Sequence, residues 1–192
     1  GLGMVHQHFM LYPDLSVLEN ILIGSERATA LGFIPFKKHR DAIEKLIEES
    51  GFSIKTCQKA VKLTVAEQQQ LEIIKMLYRD ASVLILDEPS AVLTPQESRT
   101  LYSILTSLCK QGKSVVVITH KLEEVVQNAE RVLVMRKGSI VAEKKVSDTN
   151  IEELAELMVE RKIDPIDKRP SVKERLVISM RNVTVKHNPN KK

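Results

Sequence analysis

Two hydrophobic periods alternate along the chain. From Phe36 to Ser50, Ala42, Ile43, Leu46 and Ile47 recur at helical spacing, and Gly51 supplies a stop. From Thr64 to Tyr78, Leu71, Ile74 and Tyr78 share one face, and Thr64-Val65-Ala66-Glu67 fits a capping box. The pattern then changes. Val83-Leu84-Ile85-Leu86 is a continuous apolar run closed by Asp87-Glu88-Pro89, which predicts a strand buried on both faces. A helical stripe of Leu101, Ile104, Leu105 and Leu108 follows, opened by Thr94-Pro95-Gln96-Glu97 and ended by Gly112. Val115 to Ile118 repeats the buried-strand pattern and runs into Thr119-His120. Leu122, Val125, Val126 and Ala129 mark a further helix. Arg131 to Arg136 and Ser139 to Lys144 predict a hairpin turning at Lys137-Gly138. Ile151 to Glu160 predicts a helix with Asn150 as its cap.

Upstream, Pro13-Asp14 marks a turn, Leu15 to Ile23 predicts a short helix, and Gly24 to Pro35 has loop composition. Residues 163–174 are charged and carry Pro165 and Pro170, a linker composition, and Leu176 to Lys186 begins a new strand pattern. The chain opens Gly1-Leu2-Gly3-Met4 and stops soon after that pattern begins, which reads as part of a longer protein.

Composition narrows the class. The 192 residues are 43% hydrophobic and 28% charged, a globular balance. A net charge of +4 is too mild to argue for nucleic acid. No apolar run approaches the roughly 20 residues of a membrane span. Cys57 and Cys109 form no CxxC pair, which disfavours a disulfide scaffold or a zinc cluster and points to a reducing, cytoplasmic setting.

The order strand, helix, strand, helix from Val83 to Ala129 implies a parallel sheet with crossover helices. Ligands of such sheets sit beyond the carboxyl ends of the strands. Asp87 and Glu88 end one strand and His120 follows the other, so spacing alone puts two carboxylates and an imidazole at one sheet edge. Four apolar residues ending in Asp-Glu suit Mg²⁺ binding by the Asp and polarisation of a water by the Glu. A buried strand entering an acidic turn is the plainer alternative for the hexapeptide taken alone. His6 and His8 form an HxH pair without a third ligand, and His39 and His187 read as surface residues.

Taken together, the motifs resemble the ATPase cassette of ABC transporters over about residues 1–160. Leu63-Thr64-Val65-Ala66-Glu67-Gln68 sits where that family carries its signature (LSGGQ, or LSVGEQ in sugar-type importers). Val83 to Glu88 matches the Walker B strand, Ala91 to Thr94 the D-loop, His120 the switch histidine, and Val5-His6-Gln7-His8 the Q-loop. The resemblance implies an α/β fold, a P-loop NTPase-like cassette that is incomplete here, with a parallel-sheet core and a helical subdomain. The cassette would span residues 1–162, with subdomain and signature helix at 24–79; a linker at 163–174 and the start of a second cassette at 175–192 would follow. It implies ATP and Mg²⁺ as cofactors. Asp87 and Gln7 would reach the metal, Glu88 would be the base, and His120 and Gln7 would serve catalysis. Thr64, Val65, Ala66, Glu67 and Gln68 would close on the nucleotide held by an opposing cassette.

The implied role is to energise import of a small solute, whether nucleoside, simple sugar or riboflavin-like. Implied partners are membrane permease subunits, a second cassette in the same chain and, indirectly, a solute receptor or lipoprotein, at the cytoplasmic face of the inner membrane and without nucleic acid. Phe33, Ile34 and Phe36 offer either a contact surface or subdomain core. Two departures stand out. No GxxxxGK[ST] loop occurs in these residues, so the fragment alone is expected to be inactive, and Ala66 replaces a signature glycine. A methyl there either crowds the phosphate or occupies a backbone conformation that glycine adopts more freely, which weakens the composite site. A degenerate, non-catalytic cassette and a soluble ABC ATPase acting on DNA or ribosomes are the competing classes.

Overall fold

The computed structural model describes residues 1–24 and 35–159. Its centre is a three-stranded parallel sheet in the order β1 (Leu2–Val5), β2 (Val83–Asp87), β3 (Ser114–Ile118). Leu84 lies opposite Gly3 on one side and Val115 on the other, and Leu86 lies opposite Val5 and Val117. Because side chains alternate along a strand, Gly3, Val5, Leu84, Leu86, Val115 and Val117 share a face.

Helices cover that face. Between β1 and β2 come α1 (Val17–Leu22), α2 (Phe36–Ser50), a 3-10 turn (Ala60–Lys62) and α3 (Val65–Tyr78). Between β2 and β3 runs α4 (Pro95–Lys110). One core joins them: Val17, Ile21, Ile43, Leu71, Ile73 and Ile74 of the helical part with Leu84, Leu86, Leu101, Leu105 and Leu108. Three helices start on capping boxes, at Ser16, Thr64 and Thr94, each closed by a glutamate three residues on. Each such cap contributes about 1 kcal/mol by satisfying amides that have no partner within the helix. Gly51 ends α2 in a left-handed conformation, as its sequence position predicts.

The strands are not buried on both faces. The opposite face of the sheet carries Leu2 at 70% exposure, Val116 at 49% and Ile118 at 48%. Among the described residues the helices lie on one side only, and an apolar run does not disclose which of its faces is covered.

After β3 come α5 (Leu122–Asn128), the antiparallel pair β4 (Arg131–Arg136) and β5 (Ser139–Lys145), and α6 (Ile151–Val159). Lys137 and Gly138 both take positive φ at the hairpin turn, as a two-residue turn of this kind requires. Asn150 Oδ1 accepts from the Glu153 amide at 2.8 Å and caps α6. No described helix is long and apolar enough to cross a membrane. His39 is not a free surface residue: its Nδ1 lies 2.5 Å from the Tyr78 hydroxyl, because α2 packs along α3. Phe36 is exposed, while Phe33, Ile34 and His187 lie outside the described residues. So do the linker at 163–174 and the strand pattern at 175–192.

Gly3 marks the closest approach of sheet and helix. A Cβ built there would lie 2.8 Å from Met76 Cβ. The Gly3→Ala substitution therefore pushes β1 from α3, and we expect a loss of about 1–3 kcal/mol, read as a lower denaturant midpoint at unchanged slope.

Candidate active site at the carboxyl edge of the sheet

The ladder between β2 and β3 continues one residue past Asp87: the Glu88 amide donates to the Ile118 carbonyl at 2.8 Å. That bond places Glu88 beside the segment that follows β3. Glu88 Oε1 lies 2.8 Å from His120 Nδ1, so the carboxylate and the imidazole predicted for one edge are in direct contact. Their exposures differ. The Glu88 side chain is 18% exposed and that of His120 is 70% exposed, so the carboxylate is sheltered while the imidazole faces outward. Glu88 Oε2 is buried and has no hydrogen-bond partner among the described residues. An acceptor left open in this way is costly unless a ligand or water meets it.

Glu88 also departs from ordinary backbone geometry. Its φ is +48°, in the left-handed region where a residue with a Cβ is strained. Such strain persists only where the surroundings hold it, and those surroundings were not evident from sequence. Pro89 and Ser90 are buried. The Ser90 hydroxyl donates to Glu124 Oε2 at 2.5 Å, and the Tyr102 hydroxyl donates to the same oxygen at 2.8 Å. Lys121 Nζ donates to the Ser90 carbonyl at 2.6 Å and lies 3.5 Å from Glu124 Oε1. Burial, followed by the Glu124 hydrogen bond and charge, pushes the Tyr102 phenol above its ordinary pKa.

Asp87 is half-buried at the end of β2, and its carboxylate makes no hydrogen bond or ion pair to another described residue. Its free carboxylate and the open Glu88 Oε2 suit a cation held with water and phosphate oxygens. Among the described residues no three His, Cys, Asp or Glu side chains converge as a metal cage. Gln7 lies two residues past β1 and is exposed; since Val5 pairs with Leu86, it reaches the same edge as Asp87. No hydrogen bond joins it to Asp87, Glu88 or His120 among the described residues.

Thr64 to Gln68 form the start of α3, apart from this pair. Thr64 Oγ1 accepts from the Glu67 amide at 3.3 Å, and Glu67 Oε2 accepts from the Thr64 amide at 2.7 Å. Gln68 Nε2 donates to the Leu63 carbonyl at 3.1 Å. Thr64 and Val65 are exposed, and Ala66 sits in the first helical turn without a positive φ. Of the two expectations for Ala66, the structure therefore removes the conformational one: helical backbone suits alanine better than glycine. The steric one stays open at this end of the helix.

The segment from Gln7 onward is tied to the helices by buried polar groups. Lys75 Nζ donates to the Met10 carbonyl at 3.2 Å and to Glu72 Oε1 at 3.0 Å, and that ion pair is buried. Asn20 Oδ1 accepts from the Tyr12 amide at 2.8 Å, while its Nδ2 donates to the Tyr12 carbonyl at 3.1 Å.

Known proteins resemble this chain in sequence and in fold. Residues 1–91 match the sequence model of a family described as ABC transporter. The chain is 39% identical over 187 residues to the nucleoside import ATP-binding protein NupA of Lactococcus lactis, covering 97% of this chain and 37% of that protein. It is 43% identical over 187 residues to the guanosine import ATP-binding protein NupO of Bacillus subtilis, covering 97% of this chain and 36% of that one. The chain thus spans little more than a third of the length of these curated relatives. Among solved structures, the ADP conformation of an ATP-binding cassette of an ABC transporter matches with a TM-score of 0.63 at 23% identity, over 82% of this chain and 64% of that chain. That likeness is one of fold.

The raised Tyr102 pKa has a sign that an experiment can read. Folding favours the neutral phenol, so the stability it lends is complete below the unfolded value and is lost as pH rises through the folded one. Above about pH 10 the wild-type chain should lose stability that Tyr102→Phe does not lose. The unfolding midpoint of both, followed by circular dichroism against pH, checks this; parallel alkaline profiles would refute it.

Proposed function

Because the chain belongs to the ATP-binding domains of ABC transporters, we propose that its residues serve an ATP-hydrolysing motor that drives import of a small solute of nucleoside or simple-sugar type. The Glu88–His120 pair carries this reading. A sheltered carboxylate with one oxygen held by an imidazole and the other open is built to take a proton from water. In this reading Glu88 accepts that proton, and His120 fixes the carboxylate and presents its other ring nitrogen outward. Asp87 and Gln7 are the residues that would hold Mg²⁺, which when bound neutralises charge on the transferred phosphoryl group. Thr64 to Gln68 form a capped helix start, whose positive dipole end favours an anion brought by an opposing cassette.

The partners follow from the same reading. A permease pair would dock on the helical part, and a second cassette would supply the opposing half-site; the strand pattern at 175–192 supports a second cassette in the same chain. The working place would be the cytoplasmic face of the membrane. The printed names of the relatives, nucleoside and guanosine import, support the solute class.

In the full-length protein, Glu88→Gln should lower steady-state ATP turnover by about 10²–10⁴-fold and leave ATP binding in place. Turnover that survives this change would overturn the assignment of the base. Ala66→Gly should raise turnover if the methyl crowds the phosphate, at a cost of about 0.5–1 kcal/mol in helix stability. An unchanged rate in the assembled transporter would rule out the crowding.

A further inference from the structure

The left-handed turn at Glu88 needs something to hold it, and the described residues offer one device. Ser90, two positions on, is fully buried and is gripped at both of its polar groups. Its hydroxyl is bound by Glu124 and its carbonyl by Lys121. Lys121 directly follows His120, and Glu124 stands in the first turn of α5, where its amide donates to the Lys121 carbonyl at 3.0 Å. The same carboxylate reaches Tyr102 of α4, so it is anchored to the helix on which the turn feeds out. Glu88 and His120 are thus linked twice: directly at 2.8 Å, and around a second path through Ser90, Glu124 and Lys121.

We propose that Glu124 is a positioning residue, whose carboxylate locks the strained turn at Glu88 to the segment that carries His120. The proposal rests on Glu88 being the base. Without the carboxylate, the Ser90 hydroxyl loses its acceptor, the Lys121 ammonium loses its counter-charge, and the turn at Glu88 is free to relax toward ordinary φ. The carboxylate of Glu88 then leaves its place beside His120 for part of the time. The Glu124 carboxylate is taken up by Ser90, Tyr102 and Lys121 and is assigned no contact with the nucleotide in this proposal, so the cost falls on the chemical step.

The test is steady-state ATP turnover of the full-length protein with MgATP. Glu124→Ala should lower kcat about tenfold while KM for ATP stays within about threefold, the pattern of an interaction needed in the transition state. Ser90→Ala should behave alike, and the double variant should be no slower than the slower single one, since both cut the same link. Glu124→Gln keeps the volume and one acceptor while losing the attraction for Lys121; it should fall between wild type and alanine, and it carries the test if the alanine variant does not fold. Wild-type kcat in Glu124→Ala, beside an inactive Glu88→Gln, would overturn the positioning role alone. Additive losses in the double variant would do the same, as would a kcat loss matched by an equal rise in KM. Full turnover in Glu88→Gln would instead remove the underlying reading of the base.

Discussion

The arrangement of the chain hangs on the parallel register of β2 against β3. Leu84 opposite Val115 and Leu86 opposite Val117 commit the apolar set of both strands to the helical side. A slip of one residue would turn every one of those side chains to the other face. The same register sets Asp87 opposite Ile118 and lets the Glu88 amide take the next carbonyl in line. Core packing and site geometry are therefore one constraint. The hydrophobic effect selects the register, and the register delivers the carboxylate to the imidazole.

The helical part is specified differently. Its apolar residues fill a shared core, but its placement against the sheet edge depends on buried polar bonds. Lys75 spends its charge on Glu72 and on the Met10 carbonyl, and Asn20 spends both ends of its amide on the loop between Tyr12 and Ser16. Buried pairs of this kind give modest net stability, because desolvation offsets much of the attraction. Breaking one is costly, since it leaves a charge or amide stranded. The loop that carries Gln7 out from β1 is thereby held at two points by α1 and α3, and Gln7 itself is left exposed.

Much of this was legible in the sequence, for identifiable reasons. The helices at 36–50, 65–78 and 95–110 declare themselves through apolar spacing together with a left-handed glycine at Gly51 and capping boxes at Thr64 and Thr94. The shared edge for Asp87, Glu88 and His120 follows from strand order alone. What was not legible depends on the third dimension. The strand Leu2–Val5 is short and carries a glycine that Met76 requires, so it gives no strand pattern. Hydropathy cannot say that, among the described residues, helices cover only one face of β2 and β3. The fixed turn after Glu88 escapes notice because Ser90, Tyr102, Lys121 and Glu124 come from three separate elements, and each alone looks like an ordinary helix or loop residue. His39 reads as one member of a basic run, and its contact with Tyr78 needs both helices in place.

The backbone at Glu88 sets chemistry against folding. A glycine at this position would relieve roughly 1–2 kcal/mol of left-handed strain. Part of that gain would be lost to the entropic cost that glycine carries, and the carboxylate beside His120 would be gone. Folding alone would favour a residue without a Cβ here, whereas the proposed chemistry needs the carboxylate. A side chain that stands where the local backbone favours glycine marks the residue on which the proposed chemistry depends.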